Sequence, residues 1–124
     1  QINMLFEDMS ADYAAGNYVI CAGDYNQNLR DVETLNVPGW ASRFPRESFT
    51  TGFDFAFDVT PDAIVDHDTC RNADSPYDPE TAFTVMVDGF IVSDNITVTY
   101  YENLDYGYAY SDHDPVVIEF VLNE

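Results

Sequence analysis

Two short polar segments carry acidic, amide and imidazole groups that could do chemistry together. Asp24 and Asn26 follow one apolar run, whereas Asp112 and His113 lie shortly before another. Such runs predict strands, so each segment would lie at the end of a strand. Carboxylate, amide and imidazole groups brought together in this way suit acid–base or metal-assisted cleavage of a phosphoester.

A third acidic residue, Asp88, interrupts the apolar segment 83–92. A carboxylate inside so apolar a strand is costly to bury unless it is paired. His113 is its natural partner, because a carboxylate on one ring nitrogen fixes the tautomer and raises the basicity of the other nitrogen. Gly89 beside it lets a neighbouring group approach closely. We therefore expect Asp88 to hold His113 in place, although the two are far apart in the sequence.

The pattern around these residues predicts one N-terminal helix and a series of mostly antiparallel strands. Apolar residues recur at helical spacing over 2–13, and Gly16 would end that helix. The other predicted elements are a buried strand over 18–22, a short helix over 30–35, and strands over 53–59, 83–92, 96–101 and 116–122. Loops are expected over 40–52, 66–79 and 103–110. The sum is a strand-rich α/β (α+β) unit with a helix against its sheet.

The composition allows one folded domain with a strongly acidic surface. The chain has 124 residues, of which 46% are hydrophobic, enough for a real core. Its net charge is −19, from 23 acidic residues against four arginines and no lysine. Such a surface repels nucleic-acid backbones and anionic membranes unless cations or another segment supply positive charge. A smaller phosphorylated substrate is therefore favoured.

The cysteines and the termini say little about compartment. Cys21 is expected to pack as a small hydrophobe, and a Cys21–Cys70 disulfide is an alternative that the spacing leaves open. No stretch is long and apolar enough to cross a bilayer. The chain begins at Gln1 and opens in a helix, so we expect a preceding segment to have been removed. The absence of lysine and the acidic surface favour an extracytoplasmic or secreted protein.

Three motifs, in this order, resemble the endonuclease/exonuclease/phosphatase superfamily, whose fold is deoxyribonuclease-like. Segment 23–26 (GDYN) resembles its Gly-Asp-aromatic-Asn motif, and 87–93 (VDGFIVS) its Asp-containing strand. Segment 111–116 (SDHDPV) resembles its closing Ser-Asp-His-x-Pro-Val motif. The resemblance covers about residues 1–122 and implies that the domain, residues 1–124, is the C-terminal half of a two-sheet α/β/β/α sandwich. Complete members approach the roughly 200–250 residues that large single-domain sandwiches reach.

The resemblance implies a role for each matched residue in hydrolysis of a phosphodiester or phosphomonoester. Asp24 would orient or deprotonate the attacking water and contribute to the metal site. Asn26 would bind the phosphoryl oxygen, and Asp88 would hold His113. His113 would contact the phosphate or transfer a proton, and Asp112 would bind a divalent metal. The hard oxygen ligands favour Mg²⁺ or Mn²⁺.

The resemblance also implies that part of the machinery is absent. The family's metal-binding glutamate, an early asparagine and another histidine belong to the N-terminal half, so we expect negligible activity from these residues alone. One sheet face would also lack its cover, which predicts exposed apolar side chains at Met86, Phe90 and Val117 and a tendency to dimerise or swap domains. Expected partners are therefore the missing half of the domain and a phosphorylated small molecule, lipid headgroup or oligonucleotide.

Other polar and aromatic residues receive simpler interpretations. The Asp66-His67-Asp68 segment is followed by no apolar strand and is predicted to be a solvated loop. Arg71 is expected to pair with a nearby carboxylate, Asp74 or Asp78, rather than with substrate. Two tyrosines before the closing motif are candidates to line the cleft, namely Tyr108 and Tyr110.

Two further hypotheses compete with catalysis. The first is a non-catalytic acidic binding module that takes Ca²⁺ or a protein partner through its Asp-rich loops, although no calcium-loop pattern is present. The second is a degenerate family member that kept the fold and lost turnover. The five matched polar residues favour catalysis over both.

Overall fold

A computed structural model describes residues 1–30 and 39–124. In chain order its helices and strands are α1 (Ile2–Ala14), β1 (Ile20–Asp24), β2 (Phe53–Phe55), α2 (Ala56–Val59), β3 (Cys70–Arg71), β4 (Thr84–Val85), β5 (Asp88–Ser93), β6 (Ile96–Asn103) and β7 (Val116–Leu122). Two 3-10 turns, Gly39–Ala41 and Arg46–Ser48, lie in the segment predicted to be a loop. The short helix predicted over 30–35 falls almost wholly outside the described residues.

The described strands form antiparallel sheets, as the sequence predicts. The largest has the order β1-β5-β2, and β3-β4 and β6-β7 form two-stranded sheets. β1 pairs with β5 in a register that places Ile20 opposite Val92 and Asp24 opposite Asp88. β6 and β7 pair along their length, with an irregularity between Val98 and Tyr100. The fold is therefore α+β, with an N-terminal helix and antiparallel sheets.

The helix and the β1-β5-β2 and β6-β7 sheets share one core rich in aromatic side chains, whereas β3 and β4 contribute to a separate small cluster. α1 buries Phe6 and Met9, and Gly16, at φ 90°, follows its last turn. Phe6 packs edge-on against Phe49, with ring centroids 5.2 Å apart. Phe55, which is fully buried, contacts the rings of three other phenylalanines, Phe44, Phe49 and Phe57. This core fixes β2 against β5, the strand that carries Asp88.

Two predicted strands are shorter than expected. The segment predicted as a strand over 53–59 keeps β2 only to Phe55 and then turns into α2, where the Thr60 hydroxyl donates to the Ala56 carbonyl at 2.5 Å. The segment 83–92 is divided between β4 and β5. Between them the carbonyls of Met86 and Val87 accept hydrogen bonds from Leu29 and Tyr25 instead of from a neighbouring strand. Asp88 is therefore the first residue of its strand and not a mid-strand residue.

Apolar side chains are exposed on the outer strands, but not all at the positions predicted. β1 was expected to be buried, yet most of its residues are exposed. Met86 was expected to be uncovered, but it is fully buried in the core; Phe90 is half-buried and Val117 is exposed. The larger exposed apolar surface lies at the end of β7, at Phe120, Val121 and Leu122. Apolar surface is therefore exposed as predicted, but the prediction is wrong for Met86.

Both cysteines are free thiols, so the Cys21–Cys70 disulfide does not form in this structure. Cys21 lies half-buried in β1, and Cys70 is buried in β3. Among residues 1–30 and 39–124, no helix has the length and apolar character needed to span a membrane.

Candidate active site

Antiparallel pairing of β1 with β5 places two of the predicted site residues side by side. Asp24 is the last residue of β1 and stands directly opposite Asp88, the first residue of β5. Gly23 pairs with Gly89 just before this position, and Gly23 has a φ of 154°, a conformation that favours glycine. A Cβ on Gly89 would lie 2.9 Å from a methyl of the buried Leu29. The predicted close approach at Gly89 is thereby confirmed.

The turn after β1 fixes Asn26 next to Asp24. The Asn26 backbone N–H donates to Asp24 Oδ1 at 2.8 Å, and Asn26 has a left-handed φ of 52° that asparagine tolerates better than most residues. The preceding Tyr25 N–H donates to the Val87 carbonyl at 2.9 Å, which ties the turn to the segment leading into β5. The Asp-x-Asn spacing thus places both polar side chains at the same end of the sheet.

His113 reaches this point because its loop pairs with the segment around β3. A backbone bridge joins Cys70 to His113, and the Arg71 N–H donates to the Asp112 carbonyl at 2.9 Å. On the other side of His113, the Asp114 N–H donates to the Thr69 carbonyl at 2.8 Å. These bonds position His113 independently of its side chain.

The His113 ring lies between the two aspartates. Its Nδ1 is 2.7 Å from Asp88 Oδ2, which is the hydrogen bond predicted from the sequence. Its Nε2 lies 4.0 Å from Asp24 Oδ2. If Asp88 accepts from Nδ1–H, the neutral ring presents Nε2 as an acceptor next to Asp24. The three side chains lie close enough together for a single ion to contact an atom of each.

The surroundings of this pair set the protonation of both groups. Burial disfavours the imidazolium, but the hydrogen bond to Asp88 and the charges of Asp88, Asp24 and Asp112 outweigh it, so the pKa of His113 is raised. Burial also raises the pKa of the Asp88 carboxyl, against the opposing effect of His113. His113 therefore holds a proton more readily than an ordinary histidine does, and Asp88 keeps it in one orientation.

Cys70 contacts the same imidazole, so the arrangement also resembles a site with a cysteine nucleophile. Its Sγ lies 3.6 Å from His113 Nε2, so Cys70, His113 and Asp88 are arranged like a thiol nucleophile, its base and the orienting acid. The electrostatics oppose this chemistry. Burial and the charges of Asp88, Asp112 and Asp24 raise the pKa of Cys70 to about 12. The thiol stays protonated, which disfavours its use as a nucleophile.

Asp24, Cys70 and His113 face an open cleft of about 580 Å³. The polar part of its lining includes Asp24, Asn26, Asp112 and His113, and the apolar part includes Trp40 and Phe83. The cleft wall also contains Asp74 and the single cation Arg71, so among its described carboxylates and basic side chains negative charge is in excess. A phosphate dianion would be repelled from this cleft unless a cation entered with it.

The carboxylate oxygens that line the cleft suit a hard divalent cation, whose remaining ligands would be water and phosphate. The side chains of Asp24 and Asp112 line the cleft, whereas Asp88 and His113 are already hydrogen-bonded to each other. Carboxylate oxygens with water and phosphate completing the shell are the usual surroundings of Mg²⁺. The compact group of possible ligands beside this cleft is Asp24, Asp88 and His113, which does not include Asp112, so a metal role for Asp112 stays a prediction.

Some residues at the site carry no signal in the sequence. Thr69 is fully buried, and its hydroxyl accepts hydrogen bonds from the backbone N–H groups of Val87 at 3.0 Å and Asp88 at 3.1 Å. It thereby holds the start of β5. Cys70 and Trp40 also lie in the site. Both belong to segments that look like loops in the sequence, and their spacing does not separate a site residue from one that only packs.

The Asp66-His67-Asp68 segment is not the solvated loop that the sequence predicts. The His67 side chain is only 17% exposed, and its Nε2 lies 2.7 Å from Oδ2 of the buried Asp114. The same Asp114 oxygen accepts from the backbone N–H groups of Tyr106 and Tyr108 at 3.1 and 3.2 Å. The His67–Asp114 pair thus fixes the loop that precedes the closing motif.

Three other predicted contacts differ from those observed. Arg71 does not pair with Asp74 or Asp78; its Nη1 donates to the carbonyls of Asn72 at 2.6 Å and Ser75 at 3.0 Å. Tyr108 is buried, with its hydroxyl donating to the Asp68 carbonyl at 2.6 Å, and Tyr110 is 93% exposed. Neither tyrosine lines the cleft. The aromatic lining comes instead from Trp40 and Phe83.

Comparison with known proteins gives a structural likeness. No family model matches the chain, and no curated protein sequence matches it. A solved structure, the mannosyl-6-phosphatase of Bacteroides thetaiotaomicron VPI-5482, matches with a TM-score of 0.61 and 19% identity over 97% of this chain. At this identity the likeness concerns the fold alone. The chain spans 44% of the length of that structure.

Proposed function

We propose that this chain supplies part of the active site of a metal-dependent phosphoesterase, at the cleft formed by β1, β5 and the loop before β7. One observation carries the proposal: Asp24 and His113, which line one open cleft, come together there with Asp88, although the three residues lie far apart in the sequence. Neighbouring Asn26 and Asp112 line the same cleft. The fold likeness to a phosphatase supports the same reaction class.

Each residue has a role that its surroundings support. Asp24 accepts a hydrogen bond from the Asn26 backbone through Oδ1, which leaves Oδ2 towards His113 to orient a water molecule or contact a cation. The Asn26 side-chain amide can donate to a phosphoryl oxygen as charge develops there. His113, oriented by Asp88, would contact the phosphate or transfer a proton through Nε2.

A divalent cation, Mg²⁺ or Mn²⁺, fits the acidic cleft. Asp24 and Asp112 would hold it, and when bound it would offset the charge of the phosphoryl group. The excess of carboxylates over basic side chains in the cleft is the physical reason that phosphate binding should require it.

We further propose that the chain is the C-terminal portion of an endonuclease/exonuclease/phosphatase domain and needs a further segment for activity. β1 and β7 each have one neighbouring strand among the described residues, and both carry exposed apolar side chains, including Ile20, Phe120 and Val121. Unpaired apolar strands of this kind are normally covered by another strand or chain. A second copy of this chain could cover them when the remaining segment is absent.

The substrate would be a small phosphoester, either a phosphorylated metabolite, a lipid headgroup or a short oligonucleotide. The net charge of −19 disfavours long nucleic acids, although a basic face on another segment would change that balance. The structural neighbour is a phosphatase, which favours a phosphomonoester.

The decisive assay is phosphate release from a panel of phosphomonoesters and diesters, with Mg²⁺ and with EDTA. We expect negligible turnover by these residues alone and Mg²⁺-dependent turnover by the complete polypeptide, lost in His113→Ala and Asp24→Asn. Cys70→Ser serves as the matched control, because Cys70 contacts the same imidazole but has no role in this proposal. Loss of turnover in Cys70→Ser together with EDTA-insensitive activity would favour the thiol nucleophile instead.

The acidic binding module remains the second candidate, because the structure contains another compact group of possible ligands, His67, Asp105 and Asp114. Calorimetric titration with Ca²⁺ separates the two hypotheses. If Ca²⁺ binds and binding is unchanged in Asp112→Ala, while no phosphoester is cleaved by any form of the protein, the binding module is favoured.

A further inference from the structure

We propose that Trp40 is a platform for the sugar ring of a phosphorylated pyranose, a specificity role that rests on the phosphoesterase function proposed above. The cleft would then recognise a sugar phosphate through two surfaces. The acidic and imidazole groups would take the phosphate and its cation, and the indole would take the ring.

The position of Trp40 is unusual for a tryptophan. It lies in the 3-10 turn Gly39–Ala41, and its neighbour Ala41 is buried against Cys70, Val85 and Val87. Trp40 itself is 50% exposed and lines the cleft together with Asp24 and His113. Tryptophan is on average a highly buried residue, so an indole left half open beside a candidate active site requires an explanation.

Phe83 holds the indole in this position. The rings of Trp40 and Phe83 meet edge to face, with centroids 6.0 Å apart and an interplanar angle of 76°. Phe83 in turn packs against the small buried cluster around Cys70, the residue that contacts His113. The platform is therefore linked to the catalytic imidazole through packed side chains, and it remains open on its solvent side.

The size of the cleft calls for more than a phosphate. Sites for small organic ligands typically occupy about 300–1,000 Å³, and the cleft of about 580 Å³ falls in that range. A phosphate with a hydrated cation would leave the apolar wall, Trp40 and Phe83, in contact with water. The remaining part of the substrate is the group that can cover this wall.

A pyranose fits the mixed chemistry of the lining better than a nucleobase or an acyl chain does. Its C–H face can pack on the indole, while its hydroxyls can donate to the carboxylates of Asp74 and Asp112. An acyl chain would bury those carboxylates without partners, which is costly. A polynucleotide would bring further negative charge into a cleft where carboxylates exceed cations.

Arg71 adds a donor for the sugar phosphate. Its Nη1 is held by the Asn72 and Ser75 carbonyls, which fixes the guanidinium at the cleft wall, and its Nε is buried without a hydrogen-bond partner. It is the one arginine or lysine among the described residues that line the cleft. The guanidinium would donate a hydrogen bond there to a hydroxyl or phosphate oxygen.

The test compares substrates with and without a ring, using the full-length protein with Mg²⁺. Turnover is measured for mannose 6-phosphate, glycerol 3-phosphate and AMP in the wild type, Trp40→Ala and Trp40→Phe. Tyr106→Ala is the control, because Tyr106 is 55% exposed, close to Trp40 in exposure, and lies outside the cleft. Trp40 is the only tryptophan of these 124 residues, so the part of the intrinsic fluorescence that is lost in Trp40→Phe reports sugar binding at this position.

We expect the kcat/KM ratio of mannose 6-phosphate over glycerol 3-phosphate to fall about tenfold in Trp40→Ala, mainly through KM, which corresponds to about 1.4 kcal/mol. Trp40→Phe should recover part of it, and Tyr106→Ala should leave it unchanged. An unchanged ratio in Trp40→Ala, or a wild-type preference for AMP or glycerol 3-phosphate, would overturn the sugar platform while leaving phosphoester hydrolysis intact. Absence of phosphate release from all three substrates would overturn both proposals.

Discussion

Replacement of Asp88 by asparagine tests the hydrogen bond on which the site depends. The side chains of Asp88 and His113 are 22% and 33% exposed, and their atoms are 2.7 Å apart. Hydrogen bonds to charged groups contribute about 1.5–3 kcal/mol and exposed ion pairs about 0–1 kcal/mol, so we expect Asp88→Asn to lower the free energy of unfolding by about 1–2 kcal/mol. For a chain of this size that corresponds to a fall of roughly 4–8 °C in Tm.

The effect should depend on pH in a defined direction. Because the pKa of His113 is raised in the folded protein, its contribution to stability is fully present below the ordinary imidazole value and is lost as pH rises through the folded pKa. At high pH the wild type also bears the cost of a partly buried Asp88 carboxylate, which raises the pKa of that group. We therefore expect Asp88→Asn to be clearly destabilised near pH 6 and to approach the wild type near pH 9.

The assay is urea denaturation at both pH values, with EDTA present so that no cation occupies the cleft. Asp112→Asn is the matched control, since Asp112 lies in the same cleft but accepts no hydrogen bond from His113. The double variant with His113→Gln completes a cycle that isolates the pair. Equal destabilisation at both pH values, or none at either, would refute the reasoning.

Three further predictions follow from individual contacts. Gly89→Ala should lower the free energy of unfolding by about 1–3 kcal/mol in urea denaturation, because the new methyl meets buried Leu29 at 2.9 Å; wild-type stability would contradict this. A thiol reagent at pH 8 should label half-buried Cys21 first and Cys70 only on unfolding, since burial and nearby carboxylates raise the pKa of Cys70 to about 12; equal rates would count against it. Val121→Lys should reduce self-association in light scattering, because Val121 is 56% exposed on β7; unchanged association would place the contact elsewhere.

Much of the site is predictable because it depends on short-range patterns. The strand before Asp24 and the strand after His113 follow from apolar runs, and the turn at Asn26 follows from a glycine and the Asp-x-Asn spacing. The pairing of Asp88 with His113 follows from the cost of an unpaired carboxylate in an apolar segment. The strand and turn inferences need only one or two neighbouring residues, whereas the partner of Asp88 lies 25 positions away.

The rest depends on contacts between distant segments, which no local pattern records. β5 begins at Asp88 because Thr69 binds the backbone there, and a threonine in a polar loop gives no sign of that. His67 is ordered because Asp114, 47 positions away, is buried beside it. Trp40 lines the cleft because Phe83 packs against it. Tertiary packing, rather than propensity, determines these positions.

The fold-level differences have the same origin. Phe53 and Phe55 alternate with polar residues as a strand does, and the structure keeps β2 only where β5 provides a partner. After Phe55 the chain enters α2, where Arg46 pairs with Asp58 at 2.5 Å. The alternation of apolar and polar residues identified the buried Phe53 and Phe55 correctly, but the pairing with β5 determines how long β2 is.

The most direct test of the central claim is titration of the isotope-labelled protein with Mn²⁺, in which paramagnetic broadening of backbone amide signals locates the ion. We predict that the signals of Asp24, Asn26, Asp112 and His113 broaden first, that excess Mg²⁺ restores them, and that Asp24→Asn abolishes the effect. Inorganic phosphate should bind only when the cation is present. Broadening that begins instead at other acidic loops and survives Asp24→Asn would contradict the assignment of this cleft as a metal-assisted phosphoester site.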